Sequence, residues 1–192
     1  MSDSSTRARL PATPGQTAGP FFHYALPFSR GNELVPPATS GALRLSGTVY
    51  DGAGHPVPDA LLEIRQADSS GHVPVLEGSL HRDGGGFTGW GRMATDTSGR
   101  FSFTTVEPGP TALGAVPLFA VTVFARGLLD RLFTRVYLPE VDVDRDKTLA
   151  GLPAERRRTL VAARHHDGNL RWDVHLQGEQ ETVFFTFPGH GP

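Results

Sequence analysis

The chain contains no cysteine. Disulfides, thiolate metal sites and cysteine nucleophiles are thereby excluded. Strong charge of either sign is also missing: 18 Lys and Arg stand against 20 Asp and Glu, a formal net charge of −2. A general nucleic-acid binder would carry a basic stripe, and the sequence has none. No apolar run approaches the roughly 18 residues that a membrane-spanning helix needs. The opening residues, Met1-Ser2-Asp3-Ser4-Ser5-Thr6-Arg7, have no apolar stretch of the secretory kind. A soluble, cytoplasmic protein is the expectation. What is abundant is glycine (23) and proline (16), together well above the average of roughly 12%. They fall between short apolar runs, the pattern of turns between strands. At 192 residues with 38% apolar content, one domain with its own core is the default.

Residues 1–42 show little periodicity. Pro11, Pro14, Gly15, Gly19, Pro20, Pro27, Gly31, Pro36 and Pro37 interrupt every helix or strand that might begin. The cluster Phe21-Phe22-His23-Tyr24-Ala25-Leu26-Pro27-Phe28 is too apolar for a solvated tail. Residues 1–42 therefore read as an extended arm pinned on a partner subunit, and 43–192 as the folded domain. In that domain Leu43, Leu45, Gly47 and Val49 alternate with Arg44, Ser46 and Thr48, the period of a strand. Further strands are predicted at 60–66, from Phe101, at 117–125, at 131–138, at 171–176 and at 181–187. The near-continuous apolar run 117–125 predicts a strand buried on both faces. Residues 68–90 read as a loop. Only 153–165 suits a helix, with Pro153 at its start. The fold class expected is all-β, a β-sandwich of about seven to eight strands with one short helix.

Three stretches carry more than periodicity. One is Thr13-Pro14-Gly15-Gln16-Thr17-Ala18-Gly19-Pro20-Phe21. Another is Gly47-Thr48-Val49-Tyr50-Asp51-Gly52, continued by Pro56-Val57-Pro58-Asp59-Ala60 and Glu63-Ile64-Arg65-Gln66-Ala67-Asp68. The third joins Gly91-Arg92-Met93-Ala94-Thr95-Asp96 to Gly99-Arg100-Phe101-Ser102-Phe103 and Val106-Glu107-Pro108-Gly109-Pro110. Over most of residues 13–187 the chain resembles the intradiol ring-cleaving dioxygenases. The first stretch and the close Gln177-Gly178-Glu179-Gln180-Glu181-Thr182-Val183-Phe184-Phe185 are similar to the α subunits of the family's αβ heteromers, those that open protocatechuate. Arg65 departs from the pattern, where the family usually has tryptophan.

The resemblance implies a ferric iron held by two tyrosines and two histidines, the histidines as His-x-His on one strand. That spacing is missing here. The eight histidines are 23, 55, 72, 81, 165, 166, 175 and 190, and no two are two apart. With Phe124-Ala125-Arg126-Gly127 as the anchor, the histidine positions fall on Leu118 and Ala120. One tyrosine position falls on Thr111, and the other lies in the loop around 80–88, which has no tyrosine. The adjacent His165 and His166 read as a solvated helix end. The resemblance thus implies no metal ligand and no catalytic residue in this chain, and Fe(III) supplied by a β subunit. Its substrate-binding contribution would be Thr17, Gly19, Pro20 and Arg126, forming part of the pocket wall at the α–β contact. His23 and Tyr24 would lie on the same wall. Arg126 would meet the substrate carboxylate, with a surface ion pair as the plainer reading. Arg131 and Arg135 lie in the same region and would steer the anion.

Two other readings compete. A transthyretin-like binding module without catalysis explains the turn motifs equally well. A stand-alone intradiol enzyme acting on catechol or hydroxyquinol explains the middle of the chain but not the vacant ligand positions.

Overall fold

Alternation sets the first strand, β1 (Leu43–Tyr50): Leu43, Leu45, Gly47 and Val49 point inward, and Arg44 lies exposed. The strands that follow are β2 (Leu61–Arg65), β3 (Trp90–Ala94), β4 (Arg100–Thr105), β5 (Leu118–Phe124), β6 (Leu132–Tyr137), β7 (Ala163–Arg164), β8 (Leu170–Arg171) and β9 (Val174–His175). Two short helices, α1 (Phe22–Ala25) and α2 (Ala154–Arg158), and two 3₁₀ turns at Val143–Arg145 and Lys147–Leu149 complete the set. This computed structural model describes residues 17, 19, 21–75 and 86–187. No helix among them is long and apolar enough to cross a membrane.

The strands form two sheets. One runs β4-β1-β8-β7, with β9 also pairing β1, and the other runs β3-β2-β5-β6. Leu45, Val49, Leu62, Ile64, Phe101, Phe103, Phe119, Val121, Val123 and Val136 fill the space between them. Fully burying one such side chain contributes about 1.5–3 kcal/mol. This is the expected β-sandwich, with nine strands among the described residues, three of them only two residues long. Gly47, which opens the second motif, has a packing reason. A Cβ there would lie 1.7 Å from the carbonyl oxygen of Trp172, so no other residue fits against β8.

Five local expectations need correction. The run 117–125 is not buried on both faces. Phe119, Val121, Val123 and Ala125 are buried, while Ala120 is exposed and Leu118, Thr122 and Phe124 are half-buried on the other side. The helix at 153–165 stops at Arg158, because Tyr137 at the end of β6 takes over the backbone beyond it. The Tyr137 amide donates to the Leu160 carbonyl at 2.8 Å, and the Ala162 amide donates to the Tyr137 carbonyl at 3.0 Å. His165 and His166 consequently sit in the turn between β7 and β8, not at a helix end. The predicted strand 171–176 breaks at Asp173, whose Oδ1 accepts from the Thr48 amide at 2.8 Å and interrupts the ladder. Residues 181–187 form only a single bridge, Phe133 with Phe185. Strand β3 is not among the predicted strands: Trp90 closes the loop reading 68–90, and residues 91–94 carry no predicted element.

Candidate pocket-wall surface

The outer face of the second sheet carries the residues singled out by sequence. In the register of β2 against β5, Arg65 lies opposite Ala120, Glu63 opposite Thr122 and Leu61 opposite Phe124. Side chains directly opposite share a face, and Leu118 and Ala120, two apart, share it as well. The two ends of this face are built differently.

At the β2 start, the chain before β1 lies over the sheet. Phe22 of α1 stacks there on Phe124 at 5.9 Å, while at the other end of β2 Phe28 stacks at 5.6 Å on Trp90, the residue opposite Arg65. Arg92 donates to the Leu26 carbonyl at 3.1 Å and to Glu63 Oε1 at 2.7 Å. Further along, Leu34 is fully buried between the sheets, and its amide donates to Thr104 at 2.8 Å. Phe21 and Tyr24 face outward, 78% and 75% exposed. Thr17 is exposed and Gly19 half-buried, its carbonyl accepting from the Phe22 amide at 3.3 Å. Pro20 lies outside the described residues. Arg126 follows β5 at this same end. Its Nη2 sits 2.6 Å from Asp59 Oδ2; the carboxylate is only 4% exposed and the guanidinium 59%. That is an ion pair, as the plainer reading held, but with a buried carboxylate. Neither Asp59 oxygen has a hydrogen-bond partner among the described residues, so Arg126 is the charge that balances it.

At the opposite end lies a cavity of about 240 Å³, lined by Thr111, Leu118 and Ala120 together with Ala67, Val73, Val116 and Pro117, with Arg65 and Gln66 at its edge. Sequence reasoning named Thr111, Leu118 and Ala120 as three aligned ligand positions. The fold brings all three around one space. Six residues separate Ala120 from Arg126, roughly 20 Å along an extended chain. The loop position for a fourth ligand falls partly in residues 76–85, outside the described set.

Arg135 does not belong to a steering cluster. It is half-buried, held by Asp146 at 2.7 Å and Thr148 at 2.6 Å, and it lies over the Phe185 ring. Asp146 also accepts from the Tyr137 hydroxyl at 2.6 Å. Burial, countered in part by Arg135, pushes the Tyr137 phenol up to about 12. It is a core tyrosine and does not serve as a phenolate ligand. Tyr50 stacks on His175 at 5.0 Å. Arg131 is exposed at 5.1 Å over the Phe133 ring. Among the described residues no three His, Cys, Asp or Glu side chains group closely enough to hold a metal ion.

Sequence reasoning missed two residues here. Asp59 stood inside a quoted motif, yet nothing in the pattern showed that its carboxylate would be buried against Arg126. Arg65 was noted only as a departure, and its register opposite Ala120 is what places it at the cavity mouth.

Residues 36–119 match the family described as Dioxygenase. The protocatechuate 3,4-dioxygenase alpha chain of Burkholderia cepacia is 40% identical, the alignment covering 92% of this chain and 98% of that one. The chain belongs to the intradiol ring-cleavage dioxygenase family. The protocatechuate 3,4-dioxygenase beta chain of Burkholderia cepacia is 28% identical over 72% of this chain and 65% of its own. A solved dioxygenase domain from Streptomyces sp. SirexAA-E superposes with a TM-score of 0.57 at 27% identity, over 86% of this chain and 98% of that one. An intradiol dioxygenase is expected to hold non-haem iron, and the residues present here do not fit it. Leucine and alanine offer no donor atom, and a lone threonine hydroxyl is a poor substitute for a phenolate. No step of the reaction is therefore assigned to this chain's own cavity.

Proposed function

We propose that this chain is the non-metal-binding α subunit of a cytoplasmic protocatechuate 3,4-dioxygenase, paired with an iron-bearing β subunit. The pair converts protocatechuate and O₂ to 3-carboxy-cis,cis-muconate. Both oxygen atoms enter the product as the bond between the two hydroxylated carbons opens. The carrying observation is the cavity itself: an intradiol scaffold whose aligned ligand positions are Thr111, Leu118 and Ala120. The full-length likeness to an alpha chain agrees with it.

The α chain's contribution is the opposite end of the sheet. Thr17, Gly19 and Pro20 of the arm, with Arg126, form a wall of the partner's substrate pocket. Glycine lets the backbone approach a flat ring, and proline holds the arm's path. Phe21 and Tyr24, exposed in the lone chain, are covered by the β subunit. Arg126 spends one nitrogen on Asp59. A guanidinium carries five N–H donors, so the remainder of the fork is free to meet the substrate carboxylate at the pocket edge.

Steady-state O₂ uptake by the assembled pair tests this. Arg126→Gln should raise KM for protocatechuate about tenfold and leave the KM for catechol, which has no carboxylate, nearly unchanged. Equal effects on both substrates would remove the carboxylate role, and no protocatechuate-dependent uptake by the pair would remove the function.

A further inference from the structure

The cavity at Leu118 and Ala120 has no metal-ligating side chain on those two walls, and it has volume. It is an open-sided groove of about 240 Å³, with Ala120, Thr111 and Arg65 exposed to solvent and Val116, Pro117 and Leu118 half-buried. Its walls are apolar over Ala67, Val73, Val116, Pro117, Leu118 and Ala120. Its polar groups are few and differ in availability. Gln66 is committed: its amide nitrogen donates to the Ala67 carbonyl at 3.0 Å and the Val106 carbonyl at 2.9 Å, and its oxygen accepts from Thr105 at 2.6 Å. Arg65 has one long contact, to the Pro74 carbonyl at 3.5 Å. No carboxylate among the described residues pairs with it. Arg65 stands opposite Ala120 in the register, so its planar fork lies at the mouth of the apolar space.

From this geometry we infer a second, non-catalytic binding site in the chain, which takes an aromatic monocarboxylate of benzoate size. The ring occupies the space between Leu118, Ala120 and Val116. The carboxylate meets Arg65, which suits a two-oxygen anion better than a point charge would. The site is distinct from the Arg126 wall, at the far end of the same face, and performs no oxidation. It would let the assembly sense aromatic acid without consuming it.

The test is ¹⁹F NMR titration of the purified full chain, in the assembly it forms, with 4-fluorobenzoate and with neutral 4-fluorobenzyl alcohol. Saturable binding of the acid, tighter than that of the alcohol, is expected. Ala120→Phe fills the space and should remove one class of acid site, leaving only the binding that excess protocatechuate displaces from the substrate pocket, while protocatechuate-dependent O₂ uptake persists; Leu118→Trp does the same from the neighbouring position if the first variant fails to fold. Arg65→Ala should weaken the acid roughly threefold to tenfold and leave the alcohol unchanged. No saturable binding, binding untouched by both filling variants, or equal affinity for acid and alcohol would each overturn the site.

Discussion

One sheet presents two ends of the same face, and they are built in opposite ways. Around Leu118 and Ala120 the backbone forms a concave site whose side chains are mostly apolar. Around Arg126 the side chains are charged and aromatic, and Phe22 of α1 packs down on Phe124. The first end offers space without donor atoms at Leu118 and Ala120. The second retains features that have value only against something else, namely a half-satisfied guanidinium and two exposed aromatic rings. Coordination needs particular donor atoms at particular positions, so a few substitutions remove it. The sandwich beneath needs only the period-two pattern, so it survives them.

The sharpest way to break this contrast is to return the donors. Leu118→His with Ala120→His puts two imidazoles on one face at strand spacing. The double variant should take up one Co(II) or Zn(II) per chain under conditions where the wild type takes none, seen by visible absorption or metal analysis. If it does not, the cavity is not shaped like a metal site and the alignment placing 118 and 120 there is wrong. A smaller effect belongs to the other end. Arg126→Ala leaves the buried Asp59 carboxylate unbalanced, at a cost of about 2 kcal/mol in chemical denaturation; the loss stays below the value for a fully buried pair because the guanidinium is solvated. Adding Asp59→Asn should recover most of it. If Arg126→Ala alone costs nothing, Arg126 is held for another reason than Asp59.

The smallest effect lies away from both ends, in the turns that carry the family motif. The backbone N–H of His55 first, with that of Ala53, holds the Asp51 carboxyl below the usual range. The Ser70 hydroxyl does so first for Asp68, and the Arg100 backbone N–H first for Asp96. A lowered carboxyl in the fold means that protons bind the unfolded chain more readily. The stabilisation is therefore present above the unfolded value of about 4 and is lost as pH falls through and below it. Thermal unfolding from pH 6 to pH 3 should show this as a modest decline, reduced in Asp96→Asn.

Why the architecture was readable and some details were not follows from these particulars. Leu43 to Val49 and Leu132 to Leu138 alternate because one side of each faces the core, and the sequence carries that directly. The turns at Asp51, Asp68 and Asp96 were legible because an aspartate accepting from the amide two residues on is a local device. The shortened helix at Ala154–Arg158 was not legible. Its end is decided by Tyr137, which is about twenty residues away in sequence but adjacent in space. The break at Asp173 likewise depends on Thr48. Run 117–125 looked apolar on both faces because, on the outer side, Leu118 lines a groove and Phe124 meets the arm, while the exposed residue between them, Ala120, is small and apolar. Leu118 and Ala120 mark the groove, and their role became visible only once the register set Arg65 against Ala120.

The most direct test of the division of labour is to purify this chain alone and co-expressed with an iron-bearing β chain, and to measure bound iron and protocatechuate-dependent O₂ uptake on both samples. A colourless, inactive lone chain beside a red-brown, active pair is the expected result. Iron and turnover in the lone chain would contradict it, since no side chain at positions 111, 118 or 120 would then explain where the metal sits.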